Sequence, residues 1–159
     1  MAEETFTVES AETNNDYTAE YVKAEKSALF LIARAEQNSW ALARKLENKK
    51  YHPIVIKAVI DHLTSLDLVN DRRFAELWLK ARIRTGNKGP RKLLLLLRAK
   101  GIDRKIAEAA MAVSLTPEIE AALLRRCLVG YSADNKTAIR FFLKGLGFST
   151  VAIDRYFEE

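Results

Sequence analysis

The sequence contains the stretch Leu97-Arg98-Ala99-Lys100-Gly101-Ile102, in which a leucine is followed by three residues, a glycine and a large apolar residue. Two other stretches share this form, with lysine or glycine before the last residue: Leu46-Glu47-Asn48-Lys49-Lys50-Tyr51 and Leu143-Lys144-Gly145-Leu146-Gly147-Phe148. Glycine is typical of a helix end, because it adopts the left-handed conformation there without steric cost. Each stretch therefore predicts the end of a helix, with the closing apolar residue packed against the helix that follows.

The three stretches mark an internal repeat. They lie 51 and 46 residues apart, and each has an apolar residue four positions before it and another five positions after it. These flanking residues are Leu42 and Ile56, Leu93 and Ala107, and Ile139 and Ile153. Small helical units in tandem bury their apolar faces against their neighbours. We therefore interpret the chain as three tandem three-helix repeats that form an elongated, curved array.

The rest of the pattern predicts an all-α fold. Apolar residues recur at intervals of three and four from residue 17 onward, and alternation typical of strands is absent. Helix starts and stops divide this stretch into nine helices of roughly 9 to 19 residues. The signals are Ser39, His52-Pro53, Asn70-Asp71, Gly86 to Pro90, Asp103, Thr116-Pro117, Gly130 and Ser149. We expect repeats over residues 17–69, 70–114 and 115–159, preceded by a disordered acidic arm over residues 1–16.

Charge is divided unevenly along the chain. The formal net charge is +5, but residues 1–24 carry −5 and residues 25–114 carry +10. Between Arg72 and Lys105 there are twelve basic residues and two acidic ones. Such a local excess favours a polyanionic partner, although a solvated helix face explains it equally well.

The composition gives no support to an enzyme or a metal protein. The chain has one cysteine, Cys127, and two histidines, His52 and His62, which are too few for a disulfide framework or a four-ligand zinc site. The histidines are ten residues apart and do not form a helical metal pair. We predict no catalytic residues, no metal and no cofactor. With a single thiol and no export signal or apolar stretch long enough to span a bilayer, we expect a cytoplasmic monomer with no membrane contact.

Most of the basic residues group around the turn from Gly86 to Pro90, and the first repeat carries a weaker set. Those predicted to contact a phosphate backbone are Arg34, Arg44, Lys45, Lys49, Arg72, Arg73, Lys80, Arg82, Arg84, Lys88, Arg91, Lys92, Arg98 and Lys100. Arg91 and Lys92 have the wrong sign for a helix N-terminus, so an anion bound there would relieve the conflict. No row of aromatic residues interleaves the charges, and we therefore expect weak binding of single- and double-stranded DNA without sequence preference.

Leu95 and Leu96 in the second repeat, and Phe141 and Phe142 in the third, stand where the first repeat has Arg44 and Lys45. Packing between repeats is one interpretation of these four apolar residues. A patch for a protein partner is the other.

These residues resemble those of the RecX family, regulators of the bacterial RecA recombinase. The first repeat is similar to the family's opening repeat through Ala28 to Arg34, Ser39, Leu42, Lys45-Leu46 and Tyr51. The strongest similarity is Leu68-Val69-Asn70-Asp71-Arg72-Arg73-Phe74-Ala75 with Trp78 and Arg82. A third lies in Gly89 to Leu97 and Lys100 to Ile102.

The resemblance implies three three-helix repeats, binding to the RecA filament, some affinity for DNA and no catalytic activity. It also implies that the protein dampens the activities of that filament, and with them recombination, DNA repair and the SOS response. Two alternatives stay open on the residues alone. One is a general nucleic-acid-binding helical protein without a recombinase partner, and the other is a helical-repeat scaffold.

Overall fold

A computed structural model describes residues 8–131 and 135–158, with side chains from residue 15 onward. This part of the chain is all-helical, which confirms the predicted fold class. It contains α1 (Val8–Arg34), α2 (Ser39–Asn48), α3 (Pro53–Ser65), α4 (Asp71–Thr85), α5 (Pro90–Ala99), α6 (Arg104–Ser114), α7 (Pro117–Cys127), α8 (Lys136–Leu146) and α9 (Thr150–Glu158).

The helices form two compact units, Met1–Asn70 and Asp71–Glu159. In the first unit, α1 to α3 enclose a core that includes Leu42, Val59 and Leu63. In the second unit, α4 to α9 share one continuous core. The residues of the predicted second and third repeats are thus buried together, which is expected where three short helices alone would leave much of their apolar surface in water.

The middle helices α2, α5 and α8 end in the same way. At the end of α5, the amide of Ile102 donates to the carbonyl of Leu97 at 3.3 Å and the amide of Gly101 donates to that of Arg98 at 2.9 Å. The same pair of bonds ends α2 at Lys50 and Tyr51, and α8 at Gly147 and Phe148. This is the Schellman arrangement, which turns the chain sharply and brings the next apolar residue back onto the helix.

The residue at each turn is left-handed. Gly101 and Gly147 have φ of 81° and 96°, and Lys50 has a φ of 68°. A lysine in this conformation brings its Cβ close to the backbone and is strained, whereas glycine is not. The predicted helix ends are confirmed, and the first repeat forms its turn at a steric cost that the other two avoid.

Most predicted helix starts are found where expected. His52, Asp103 and Thr116 cap α3, α6 and α7. The prediction of Ser39 as the cap of α2 is wrong by one residue, because Asn38 holds that position. Its side-chain oxygen accepts a hydrogen bond of 2.6 Å from the amide of Ala41. Asn38 is fully enclosed, so the bond also satisfies a buried polar group.

Helix α1 begins at Val8, inside the segment that the sequence assigns to the acidic arm. Residues 8–16 are helical, and the prediction for residues 1–7 lies outside the described part of the chain. Ala24 and Ala28 are completely buried and anchor the downstream half of α1. Once a helix is anchored, each residue added to its end gains a hydrogen bond, so α1 continues upstream without an apolar period.

Replacing Lys50 by glycine is expected to raise the free energy of unfolding by about 0.5–1 kcal/mol. Glycine removes the steric cost of the left-handed residue, roughly 1–2 kcal/mol, and loses part of that gain to the entropy of the unfolded chain. Urea denaturation followed by circular dichroism measures the change.

Lys49→Gly is the matched control. Lys49 has a φ of −84°, so glycine brings no steric relief there and should lower the free energy of unfolding by about 0.5–1 kcal/mol. Equal destabilisation by the two substitutions would show that the left-handed turn of the first repeat carries no strain.

Candidate functional site

The basic residues of α4 lie on two opposite sides of the helix. At about 100° per residue, Arg73, Lys80 and Arg84 fall within about 40° of one another, while Arg82 lies about 200° from Lys80. The first three line a groove. We call this side of α4 the groove face. Arg72 belongs to neither set, because it lies about 80° around the helix from both Lys80 and Arg82. Its Nε donates to Oε1 of Glu76 at 3.0 Å.

The other side of α4 carries Trp78. The ring is half-buried and packs against the core of the second unit. The guanidinium carbon of Arg82 lies 5.4 Å from the ring centroid, and Nζ of Lys100, which follows α5, lies 5.8 Å from it. The ring face is electron-rich and attracts both cations. We call these three residues the tryptophan face.

The first unit contains two similar pairs. The guanidinium carbon of Arg34 lies 5.3 Å from the ring centroid of Phe30, and that of Arg44 lies 5.6 Å from the centroid of Trp40. Phe30 is 61% exposed and Trp40 is 48% exposed. In all three helices the aromatic residue precedes the arginine by four positions, which places the two side chains on one helix face. The spacing of four is present in the sequence, but the prediction made from it considers only a row of rings and does not include these pairs.

Some of the predicted contact residues in the first unit also have partners within the fold. Nζ of Lys45 donates to Oε1 of the buried Gln37 at 2.7 Å, and Nε of Arg44 lies 3.9 Å from Oε2 of Glu47. Lys49 is exposed and caps the end of α2, where the carbonyl ends of the helix favour a cation. These residues therefore make contacts within the first unit as well as contributing positive charge.

The amino terminus of α5 is occupied by the carboxyl end of α8. The amide of Gly89 donates to the carbonyl of Leu146 at 2.8 Å, and the amide of Arg91 donates to that of Gly147 at 3.0 Å. The prediction of an anion bound at this helix end is therefore wrong for these two amides, which carbonyl oxygens already satisfy. The same carbonyls explain why Arg91 and Lys92 are tolerated, since cations are stabilised at the carboxyl end of a helix.

The remaining predicted residues of this region lie at the surface. Lys88, Arg91, Lys92 and Arg98 are exposed along the turn and α5. They are positioned by the turn from Gly86 to Pro90, which the structure places between α4 and α5 as predicted.

Arg126 on α7 organises this turn and was not predicted. Its guanidinium donates to the carbonyls of Ile83, Arg84 and Gly86 at 2.5, 2.9 and 2.6 Å. These carbonyls lie at and just beyond the end of α4, where they lack partners in the helix. The contact joins residues 40 or more positions apart, so no local pattern in the sequence could reveal it.

The four apolar residues predicted to form either an internal contact or a patch divide into two kinds. Leu95 and Phe141 are 60% and 81% exposed, whereas Leu96 and Phe142 are half-buried. The ring of Phe142 stacks on Tyr131, with the centroids 4.6 Å apart. Phe142 therefore packs within the second unit, and only Leu95 and Phe141 present most of their surface to solvent.

Among the residues that the structure describes, the titratable side chains show no arrangement typical of catalysis. Within the described ranges no three His, Cys, Asp or Glu residues are grouped to hold a metal ion. His52 accepts a hydrogen bond at Nδ1 from the amide of Ile54, and Nε2 of His62 lies 3.5 Å from Oε1 of Glu25. Burial raises the pKa of the Cys127 thiol, which therefore stays protonated near neutral pH.

For the residues that the structure describes, no helix combines the length and the apolar content required to cross a membrane.

Comparison with known proteins finds relatives over most of the chain. A family model described as "RecX, second three-helix domain" matches residues 70–111. The regulatory protein RecX of Halorhodospira halophila is 30% identical over 128 residues, which cover 77% of this chain and 79% of that protein. The regulatory protein RecX of Mycolicibacterium vanbaalenii is 38% identical over 82 residues, and the match spans 44% of its length.

A solved structure shows the same fold. The crystal structure of RecX from Lactobacillus salivarius matches with a TM-score of 0.80 and 28% sequence identity. The match covers 89% of this chain and 96% of that one.

Replacing Gly89 by alanine is expected to lower the free energy of unfolding by about 1–3 kcal/mol, the usual cost of overpacking. A Cβ on Gly89 would lie 2.5 Å from backbone atoms of Gly147 and Phe148, so α5 and α8 would have to separate. Chemical denaturation measures the loss.

Gly145→Ala is the matched control within α8. A Cβ there meets no atom within 4 Å, and alanine is a better helix former than glycine, so the free energy of unfolding should rise by about 0.5–1 kcal/mol. A neutral Gly89→Ala variant would show that the contact between α5 and α8 is loose.

Proposed function

The chain belongs to the RecX family of regulatory proteins, and we propose that it binds the filament that the RecA recombinase forms on DNA and lowers the filament's activity. In this way it would restrain recombination, DNA repair and the SOS response. The protein would act by occupying surfaces of the filament, as a cytoplasmic monomer that uses no catalytic residue, metal or cofactor.

The observation that carries the DNA part of this proposal is the pairing of exposed cations with aromatic rings. Proteins that bind single strands without sequence preference combine a positive surface with rings on which bases stack. The pairs at Phe30, Trp40 and Trp78 supply both elements on a few residues. Phosphates neutralise the arginines while a neighbouring base covers the exposed part of the ring.

The surrounding charges support the same proposal. Lys88, Arg91, Lys92 and Arg98 are exposed and belong to the same unit as the tryptophan face. Cations at a surface release counterions from a nucleic acid when they neutralise its phosphates, so affinity falls steeply with salt. None of these four residues is an asparagine or a glutamine, whose amides read base edges together with arginine. We therefore propose binding without sequence preference.

A general DNA-binding protein without a recombinase partner is the alternative. The aromatic–cation pairs favour it as much as they favour a filament regulator, because they explain contact with DNA and no more. The two functions differ in how inhibition responds to added DNA.

Intrinsic fluorescence tests whether the aromatic–cation pairs contact DNA. The chain has two tryptophans, and each belongs to one such pair in a different unit. We expect single-stranded oligothymidylate to quench Trp78 in a Trp40→Phe variant and Trp40 in a Trp78→Phe variant. An unquenched tryptophan in either variant would remove that pair from the DNA surface.

Salt dependence tests the cations of the tryptophan face. With Arg82→Gln and Lys100→Gln combined, the slope of log affinity against log salt should fall by about 1.4, since each phosphate contact on a single strand contributes about 0.7. Arg104→Gln is the control, because Arg104 is also exposed but pairs with Glu108 at 2.7 Å. The proposal fails for this face if the double variant keeps the slope of the unaltered protein.

Inhibition of RecA tests the recombinase part. We expect the protein to slow the single-strand-dependent ATP hydrolysis of the cognate RecA at substoichiometric amounts. Adding excess DNA should restore only part of the rate, because the protein also holds the filament. Full recovery with DNA would indicate the general DNA-binding protein, and an unchanged rate at equimolar protein would contradict both.

A further inference from the structure

The groove face of α4 borders a cavity that the DNA proposal leaves unused. The groove lies within the second unit and has a volume of about 650 Å³. Its apolar lining comes from Leu77 and Ile83 of α4 and from Ile119 of α7, and its basic lining from Arg73, Lys80 and Arg84.

The apolar lining is only partly covered by the fold. Leu77 is 51% exposed and Ile119 is 37% exposed, although both belong to helices that bury other apolar residues in the same core. A concave apolar surface next to charged residues is typical of a binding site rather than of an ordinary surface. The groove is large enough for a few side chains and too small for a folded domain.

The charge at the groove is positive. Lys80 and Arg84 are exposed on the same side of α4. The acidic lining residue, Glu76, is paired with Arg72 at 3.0 Å. An occupant must therefore bring negative charge to Lys80 and Arg84 and apolar groups to Leu77 and Ile119.

A nucleic acid matches only half of this surface. Its phosphates suit the cations, but bases bind best on aromatic rings, and the lining is aliphatic. Trp78 lies on the other side of α4, about 160° from Lys80 around the helix. A protein segment matches both halves, because acidic residues and apolar anchors occur together in one peptide.

We propose that the groove is the docking site for an acidic peptide segment of a partner protein, in which a leucine or phenylalanine is flanked by aspartates and glutamates. The anchor fills the space between Leu77, Ile83 and Ile119, and the carboxylates pair with Lys80 and Arg84. This inference rests on the proposed function only in that both expect a protein partner. The groove face of α4 then binds a peptide, and the tryptophan face binds DNA.

The test uses the full chain and a fluorescein-labelled acidic peptide with a central leucine–phenylalanine pair. Fluorescence anisotropy should show saturable binding, and a peptide with glycines in place of the central pair should bind about tenfold more weakly. Lys80→Glu combined with Arg84→Glu should lower the affinity for the first peptide at least about tenfold, because like charges then face each other. No binding at millimolar peptide would overturn the proposal.

Substitutions of two leucines distinguish peptide binding in the groove from a general effect of changing the protein surface. Leu77→Ser removes an apolar side chain from the groove lining and should weaken peptide binding about tenfold. Leu95→Ser changes a leucine of similar exposure outside the lining and should not weaken it. Circular dichroism checks that both variants fold. Equal affinity of the two variants for the peptide would also overturn the proposal.

The same variants separate this inference from the proposed function. Oligothymidylate should still quench Trp78 in the Lys80→Glu and Arg84→Glu variant, because both substitutions lie on the other side of α4 from the ring. If DNA affinity collapses and peptide affinity does not, the groove belongs to the nucleic-acid surface and the proposal is wrong. If oligothymidylate fails to quench Trp78 in the Trp40→Phe variant while the unaltered protein still binds the peptide, the DNA proposal alone is contradicted.

Discussion

Each middle helix of the fold depends on one left-handed residue at its end. Lys50, Gly101 and Gly147 take this conformation, and the two hydrogen bonds that follow it reverse the chain within a single turn. The next apolar residue is thereby returned to the core, as with Ile102 and Phe148, which are almost completely buried. This turn sets the direction of the helix that follows. If the middle helix continued in place of the turn, the following helix would have no helix to pack against.

Gly147 satisfies two constraints at once. Its φ of 96° ends α8, and the absence of a side chain lets the backbone of Lys92 approach, since a Cβ on Gly147 would lie 2.8 Å from that amide nitrogen. Gly89 makes the corresponding approach from the other side. The carbonyls that end α8 can therefore accept hydrogen bonds from the start of α5. One glycine thus ends α8 and lets that end contact the start of α5. The cations Arg91 and Lys92 then lie beside the carboxyl end of a helix, which favours positive charge.

The sequence predicts what depends on local geometry and misses what depends on contacts between distant residues. The left-handed turns, the proline after His52 and the break at Gly86 to Pro90 are local, and the structure confirms them. The pairing of Trp78 with Arg82 is also local and follows from a spacing of four. The contact of Arg126 with the end of α4 depends on the fold bringing α7 near that end, and no periodicity encodes it.

The count of charges along the sequence likewise predicts a class of partner, a polyanion, but does not predict where on the protein that partner binds. The twelve basic residues between Arg72 and Lys105 suggest one surface, yet α4 separates its share into two. A helix is about 10 Å wide, and at physiological salt the screening length is about 8 Å, so charges on opposite sides of α4 act almost independently. What each set binds is then decided by its neighbours, an aromatic ring beside Arg82 and aliphatic side chains beside Lys80. The same charge can attract a nucleic acid on one side and an acidic protein segment on the other, because the apolar groups that accompany it supply the selectivity.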